Sequence, residues 1–284
     1  MRKDLHEENR RAWNLATEVH NSHKADQAGF LRRGGSTLFP EERALLGDLS
    51  GKHLLHLQCN AGQDTLSLAQ LGAVVTGVDI SDTAILFARR LSAESGIAGE
   101  FQRADIYDWL AATAEADARF DVVFSSYGAL TWLSDLSLWA RGVERVLAPG
   151  GRLVVVEFHP VAFIFDEHWQ HTYPYFRGGQ PDRWESGVGD YVALSGPALA
   201  PSGYLEGVQG FVNPYPGNDW NWTIGEILGA VTGAGLAITS YQEFPYSNGA
   251  TLWADMQPMP GGRMIPPDSV PNLPLMYGLS AERR

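Results

Sequence analysis

Two hydrophobic periods alternate through the first half of the chain. Leu54, Leu55 and Leu57 form a short apolar run that predicts a buried strand, Thr65 to Leu71 has helical spacing, and the β-branched run Val74 to Val78 predicts a second strand. The turn Gln58-Cys59-Asn60-Ala61-Gly62-Gln63-Asp64 joins the first strand to the helix, and Asp79 closes the second strand. This order is the front half of a nucleoside-binding βαβ unit, where a carboxylate at the end of the second strand accepts hydrogen bonds from both hydroxyls of a ribose. A competing use of Asp79 is to cap the helix beginning in DTAILFARRL, a role that Asp82 also suits.

The same patterning organises the rest of the chain. Residues 1 to 24 read as a polar amphipathic helix carrying Trp13, His20 and His23, followed by a loop from Gly29 to Pro40 and a second helix from Pro40 to Leu49. Phe120 to Ser126 predicts a fourth strand, Ser134 to Leu147 a helix, and Pro149-Gly150-Gly151 a stop that feeds a fifth strand ending at Phe158. Residues 160 to 222 are rich in Gly, Pro and aromatics without sustained helical spacing, and predict short strands and loops over the sheet edge. A helix from Thr223 to Gly233, a strand from Leu236 to Phe244, a proline-rich loop from Gln257 to Pro271 and a last strand from Leu273 to Arg283 complete the pattern. The expected organisation is a single α/β domain with a doubly wound, mostly parallel, seven-stranded sheet. It divides into a helical cap (1–50), a nucleoside-binding core (51–160), an aromatic lid (161–222) and a completion of the sheet (223–284).

Charge and cysteine usage narrow the function. The 284 residues carry 33 acidic and 21 basic side chains, a formal charge of -12, and no cluster of basic residues is longer than scattered pairs such as Arg10-Arg11, Arg32-Arg33 and Arg89-Arg90. Phosphate-rich partners need a basic face, so nucleic acid and anionic membranes are disfavoured. A polar start without an apolar signal core, and no apolar run long enough to span a bilayer, lead to an expectation of a cytoplasmic protein. Cys59 is the only cysteine, which excludes an internal disulfide and any cysteine-rich zinc site.

The turn itself distinguishes between nucleoside cofactors. A pyrophosphate cradle needs three glycines, and this turn has only Gly62, while Asp64 at the helix start repels a phosphate. No GxxxxGK[ST] loop is present. A cofactor without phosphates fits better, and a dehydrogenase is the weakest reading.

With these elements in order, residues 40 to 160 resemble the class I S-adenosylmethionine-dependent methyltransferases. The resemblance rests on the turn, on Asp79, on Ala104-Asp105-Ile106 after a third strand, on Phe120 to Ser126, and on Leu147-Ala148-Pro149-Gly150-Gly151 with the strand that follows. The turn is an atypical variant, with His56 at the usually acidic position and Gln58 and Asn60 at two customary glycines. These two amides are expected to hydrogen-bond near the methionine part of the cofactor, or merely to cap the following helix. The resemblance implies S-adenosylmethionine as cofactor and S-adenosylhomocysteine as product. It implies that Asp79 holds the ribose, Ile80 packs on the adenine, and Asp105 with Ile106 meets the adenine edge. The turn Leu57, Gln58, Cys59, Asn60 and Gly62, with Asp64 beside it, would pass under the methionine, and Ser125, Ser126 and Tyr127 would lie nearest the sulfonium.

The acceptor is expected to be a small aromatic or heterocyclic molecule methylated at N or O by in-line displacement. It would bind among Trp13, His20, Trp132, Tyr173, Trp220 and Trp222, with the lid aromatics alternatively forming only a satellite core. His159 emerges from the fifth strand before Pro160 and is the candidate general base and acceptor contact, or else only a lid hydrogen bond. No metal is expected, since the pair His20 and His23 lacks a third ligand. Two alternatives stand beside methyl transfer. One is aminopropyl transfer from decarboxylated S-adenosylmethionine to a polyamine, which needs Asp105 and Asp108 turned to that ligand. The other is a non-catalytic cofactor-binding module.

Overall fold

The computed structural model describes residues 1–253 and 255–284. Three helices lead in: α1 (Lys3–Ser22), α2 (Gln27–Arg32) and α3 (Pro40–Leu46). The core then alternates β1 (His53–Leu57), α4 (Gln63–Gln70), β2 (Val74–Asp79), α5 (Asp82–Ser95), β3 (Glu100–Arg103), α6 (Ile106–Glu115), β4 (Phe120–Ser126), α7 (Leu136–Val146) and β5 (Leu147–Phe158). The segment after β5 holds β6 (Asp182–Trp184), α8 (Tyr191–Ser195) and β7 (Gly217–Asp219). The chain closes with α9 (Ile224–Gly233), β8 (Leu236–Phe244), β9 (Ser247–Asn248), β10 (Gln257–Met259), β11 (Arg263–Ile265) and β12 (Met276–Arg283).

The main sheet has seven strands in the order β3-β2-β1-β4-β5-β12-β8, with β12 antiparallel to both neighbours and the other pairings parallel. Strand order reverses where β1 meets β4, which opens a crevice at the carboxyl edge, the usual ligand position in such sheets. Both faces are covered, so the strands are apolar without alternation: Leu54, Leu55 and Leu57 of β1 and Val122, Val123 and Phe124 of β4 are fully buried. On α7, Leu136, Trp139, Ala140, Val143 and Val146 recur at helical spacing and face the core. Burying a side chain the size of Leu136 or Val143 contributes roughly 1.5–3 kcal/mol.

Local chemistry moves several boundaries from their sequence expectation. The expected loop from Gly29 begins inside α2, because the Asp26 side chain accepts from the Gly29 amide (2.7 Å) and caps a short helix. Helix α3 ends at Leu46, where Gly47 takes φ +60°. The proline-rich loop contains the hairpin β10–β11, turned at Gly261 and Gly262, and Pro258 is accommodated because β10 is the outer strand of its sheet. Helix α5 is capped by Ser81, whose Oγ accepts from the Ala84 amide (3.1 Å), and by neither Asp79 nor Asp82.

Gly62 has a geometric reason to be glycine. It adopts φ +79°, and a Cβ there would lie 2.7 Å from Ala88 Cβ and 2.9 Å from the Phe101 ring. Gly62→Ala is therefore expected to lose about 1–3 kcal/mol in denaturant melts. An unchanged midpoint would show that α4 and α5 do not pack that tightly.

Candidate functional site

The turn after β1 keeps a left-handed path at all three alternate positions: Gln58 has φ +53°, Asn60 φ +48° and Gly62 φ +79°. For a residue with a Cβ this region costs about 1–2 kcal/mol, so side chains must hold the turn. Asp79 does so from the end of β2. Its Oδ2 accepts from the Asn60 amide (2.8 Å) and its Oδ1 from the Ser81 amide (2.8 Å). Burial pushes Asp79 up to about 6, although these amides pull the other way. Gln58 Nε2 donates to the Ala129 carbonyl (2.7 Å), and Asn60 Oδ1 accepts from the Ala61 amide (2.7 Å). Neither amide side chain caps α4, whose N-cap position is Gly62.

The loop after β4 is fixed in a comparable way. Tyr127 (φ +42°) and Gly128 (φ +77°) reverse the chain, and the buried Glu157 carboxylate gathers the loop. It accepts from the amides of Ala129 (2.7 Å), Leu130 (3.0 Å) and Phe158 (2.7 Å), and from that of Gly128. Burial raises the Glu157 pKa, and the four amides oppose that rise. Nothing in the sequence pattern singled out Glu157; a carboxylate closing the apolar run LVVVE was the available signal. His56, at the usually acidic position, is buried and bonded through Nδ1 to Thr65 Oγ1 (2.8 Å), and burial lowers it to about 3, so it is neutral.

These loops border a cavity of about 920 Å³ that runs along the carboxyl edge beneath α1 and the lid. Gln58, Cys59, Asn60, Asp64, Asp79 and Ile80 line it, and Asp105, Ile106, Ser126 and Tyr127 continue the wall. Trp13, His20, Trp132 and Tyr173 line its other part. Leu57 and Ser125 lie outside it, fully buried in the sheet, and Gly62 sits against Ala88 and Phe101. Trp220 is buried edge-on to His6 (6.2 Å), and Trp222 Nε1 donates to the Leu133 carbonyl (2.8 Å) as part of the main core. These two expected acceptor contacts are corrected to packing residues.

His159 is a further correction. Its Nδ1 accepts from the Val161 amide (3.2 Å) and caps the short 3₁₀ turn that follows, while Nε2 meets Glu243 Oε1 (3.2 Å). The ring stands edge-on to Tyr277 (6.1 Å) and does not border the cavity. Burial lowers its pKa despite Glu243.

At the carboxyl end of β3, Asp105 caps α6 through the Tyr107 amide (2.9 Å) and holds His6 Nδ1 (2.7 Å). Burial raises the Asp105 pKa, but His6 and that amide more than offset it and leave it lowered. Asp108 instead pairs with Lys3 at the surface (2.5 Å), so the acidic pair needed for polyamine binding is not assembled. His20 Nε2 donates to the Gly189 carbonyl (2.9 Å), and burial lowers it to about 4. His23 is engaged separately with Asp190 (2.8 Å). Among the described residues no cluster of three or more His, Cys, Asp or Glu is placed to hold a metal ion. Nor is any helix among them long and apolar enough to cross a membrane.

The donor set fits a nucleoside without phosphates. It offers carboxylates at both Asp79 and Asp105, a further carboxylate, Asp64, in the first turn of α4 where a phosphate would otherwise sit, and a buried Gln58 Oε1 without a partner beside the turn. Comparison with known proteins agrees with that fit. Residues 55–155 match the methyltransferase-domain family. The chain is 33% identical over 122 residues to the demethylmenaquinone methyltransferase of Tropheryma whipplei, covering 42% of this chain and 48% of that protein. It is 31% identical over 127 residues to the ubiquinone biosynthesis O-methyltransferase of Pseudomonas aeruginosa, covering 44% and 52%. The chain thus spans about half the length of these relatives. An S-adenosylmethionine-dependent methyltransferase from Mesorhizobium loti shares the fold at TM-score 0.51 and 22% identity, over 88% of this chain and 99% of that one. One from Clostridium acetobutylicum does so at TM-score 0.53 and 12% identity, over 85% and 87%.

His159→Ala is expected to lower stability by about 1 kcal/mol through the lost cap and to leave affinity for S-adenosylhomocysteine unchanged. Thermal melts and calorimetry check both halves; weakened binding would return His159 to the site.

Proposed function

We propose that the protein, whose residues 55–155 match the methyltransferase-domain family, transfers a methyl group from S-adenosylmethionine to N or O of a small planar acceptor. One continuous cavity joining the Asp79 and Asp105 end to an aromatic end carries this reading. Trp13 and Trp132 meet edge-to-face (5.5 Å) on one wall, with Tyr191 of α8 beside Trp13 (6.4 Å). Tyr127 stands between Phe39 (6.2 Å) and Phe158 (5.8 Å) on the other. Two aromatic walls suit a flat ring, whose stacking adds about 0.5–1.5 kcal/mol per well-placed pair beyond its buried area. The two named relatives, a demethylmenaquinone methyltransferase and a ubiquinone biosynthesis O-methyltransferase, support a quinol-like ring.

S-adenosylmethionine, when bound, supplies an electrophilic methyl on sulfur. The chain's own contribution is positional. Asp79 accepts from the ribose hydroxyls, and the left-handed turn presents Gln58 and Asn60 to the amino-acid part. Glu157 fixes Tyr127 to Leu130 at the methyl end, and the aromatic walls align the acceptor. Holding reacting atoms about 3–3.5 Å apart and aligned supplies several kcal/mol of barrier reduction. With His159 outside the cavity, and with His6, His20 and His56 bonded to Asp105, the Gly189 carbonyl and Thr65, no histidine is assigned as base.

Incubation with S-adenosylmethionine and a panel of catechols, quinols and heterocyclic amines should release S-adenosylhomocysteine with at least one of them; no turnover across the panel would remove the reading. Asp79→Ala should weaken S-adenosylhomocysteine binding at least 100-fold, because two charge-assisted hydrogen bonds of about 1.5–3 kcal/mol each are lost and the turn loses the Asp79 bonds to the Asn60 and Ser81 amides; a circular-dichroism spectrum like that of the native protein shows that the sheet itself remains.

A pH dependence follows from the same carboxyl. Folding raises Asp79 from 3.8 to about 6, so the folded state binds the extra proton between those values and its stability falls as pH rises through that window. Ligand binding runs the other way, since only the ionised form accepts both hydroxyls. Affinity for S-adenosylhomocysteine should fall as pH drops below about 6 and level off above it. A flat calorimetric profile from pH 5 to 8 would contradict the ribose assignment.

A further inference from the structure

Lys24 follows the carboxyl end of α1, at the seam between cap and lid. Its neighbours are pinned by the lid backbone: the Leu205 amide donates to the His23 carbonyl (2.8 Å) and the Ala25 amide to the Gly203 carbonyl (2.8 Å). Next to it, His23 is buried between Asp190 (2.8 Å) and the stacked ring of Tyr204 (5.7 Å). The Lys24 side chain borders the main cavity, and among the described residues it has no hydrogen bond and no carboxylate within 4.0 Å. Burial lowers it to about 8, which leaves it charged at neutral pH, with the charge of Asp64 opposing the shift.

An ammonium at the border of a cavity, with no counter-ion of its own, is placed to pair with an anion that enters the cavity. The nearby anion is Asp64, which also borders the cavity and is bonded to Thr37 Oγ1 (2.5 Å). The two charges are close enough for each to shift the other, yet they do not form an ion pair. Opposite charges facing a cavity across a gap suit a ligand end that carries both charges in the reverse sense. Asn21 and Gln63, bonded to each other (2.9 Å), also border the cavity and have amides suited to the same polar end.

We propose that Lys24 is a carboxylate anchor at the cap–lid seam, with Asp64 facing the ammonium group of the same ligand, so that a zwitterionic α-amino-acid end is selected over a decarboxylated one. This rests on the methyl-transfer reading, in which the amino-acid end belongs to the cofactor. The other source of a carboxylate is an acidic acceptor ring. The consequence for the fold is direct: ligand and lid backbone both bear on residues 23 to 25, so binding stabilises the closed seam.

The test is calorimetry of the full chain and of Lys24→Met and Lys24→Arg with S-adenosylhomocysteine and with 5′-methylthioadenosine, which shares the nucleoside but lacks the amino-acid end. Lys24→Met should weaken S-adenosylhomocysteine about tenfold or more, leave 5′-methylthioadenosine unchanged, and be rescued by Lys24→Arg. If the acceptor supplies the carboxylate, S-adenosylhomocysteine affinity is unchanged in Lys24→Met, and 4-hydroxybenzoate raises the Tm of the saturated native protein but not that of the variant. Equal behaviour of native protein and Lys24→Met towards all three ligands overturns the anchor. Failure of the native protein to bind S-adenosylhomocysteine overturns instead the methyl-transfer reading on which the anchor rests.

Discussion

The structure depends on a strained turn held by carboxylates. Gln58 and Asn60 follow a backbone path that glycine takes without cost, and they are kept there by the bond from the Asn60 amide to Asp79 and by the bond from the Gln58 side chain to the Ala129 carbonyl. That carbonyl is itself fixed because Glu157 gathers the amides of Gly128, Ala129 and Leu130. A buried carboxylate at the end of β2 and another at the end of β5 thereby set the two loops that face each other across the switch point. An uncompensated buried carboxylate is unfavourable, but one that accepts two to four amide bonds is satisfied and rigid. Strain in the turn is thus offset by order in the loop opposite.

The cap completes this arrangement from above. Asn14 accepts from Ser81 Oγ (2.8 Å), His6 bonds to Asp105 (2.7 Å), and Asn9 bonds to Asn218 of β7 through its Nδ2 (2.8 Å) and Oδ1 (2.7 Å). Helix α1 therefore ties the carboxyl edge of the sheet to the lid. Packing of α1 and the lid over this edge contributes to the desolvation that holds Asp79 above its ordinary pKa. The roof and the chemistry of the site are aspects of one packing arrangement.

The sheet was legible because its signals are local. Leu54 to Leu57, Val74 to Val78 and Phe120 to Ser126 are β-branched or apolar runs bounded by turn residues, and the family resemblance implied a doubly wound, mostly parallel sheet of seven strands. Asp79 was legible for the same reason, since its position at a strand end is a sequence position. His159 was misplaced because emergence at the carboxyl edge gives the strand's end but not the direction of the ring, which turns to Glu243 and Tyr277 on the far strands. Trp220 and Trp222 were misplaced because an aromatic residue in an irregular segment carries no period to separate core from cavity. Glu157 and Tyr191 make contacts between segments distant in sequence, and no local pattern encodes those.

The most direct measurement of this account is a crystal structure of the protein with S-adenosylhomocysteine. The ribose hydroxyls should lie on Asp79, with Gln58 and Asn60 retaining positive φ and the Gln58 to Ala129 bond intact, because the turn is already built for the ligand. A ligand bound away from Asp79, or a turn rebuilt to negative φ at both residues, would contradict it.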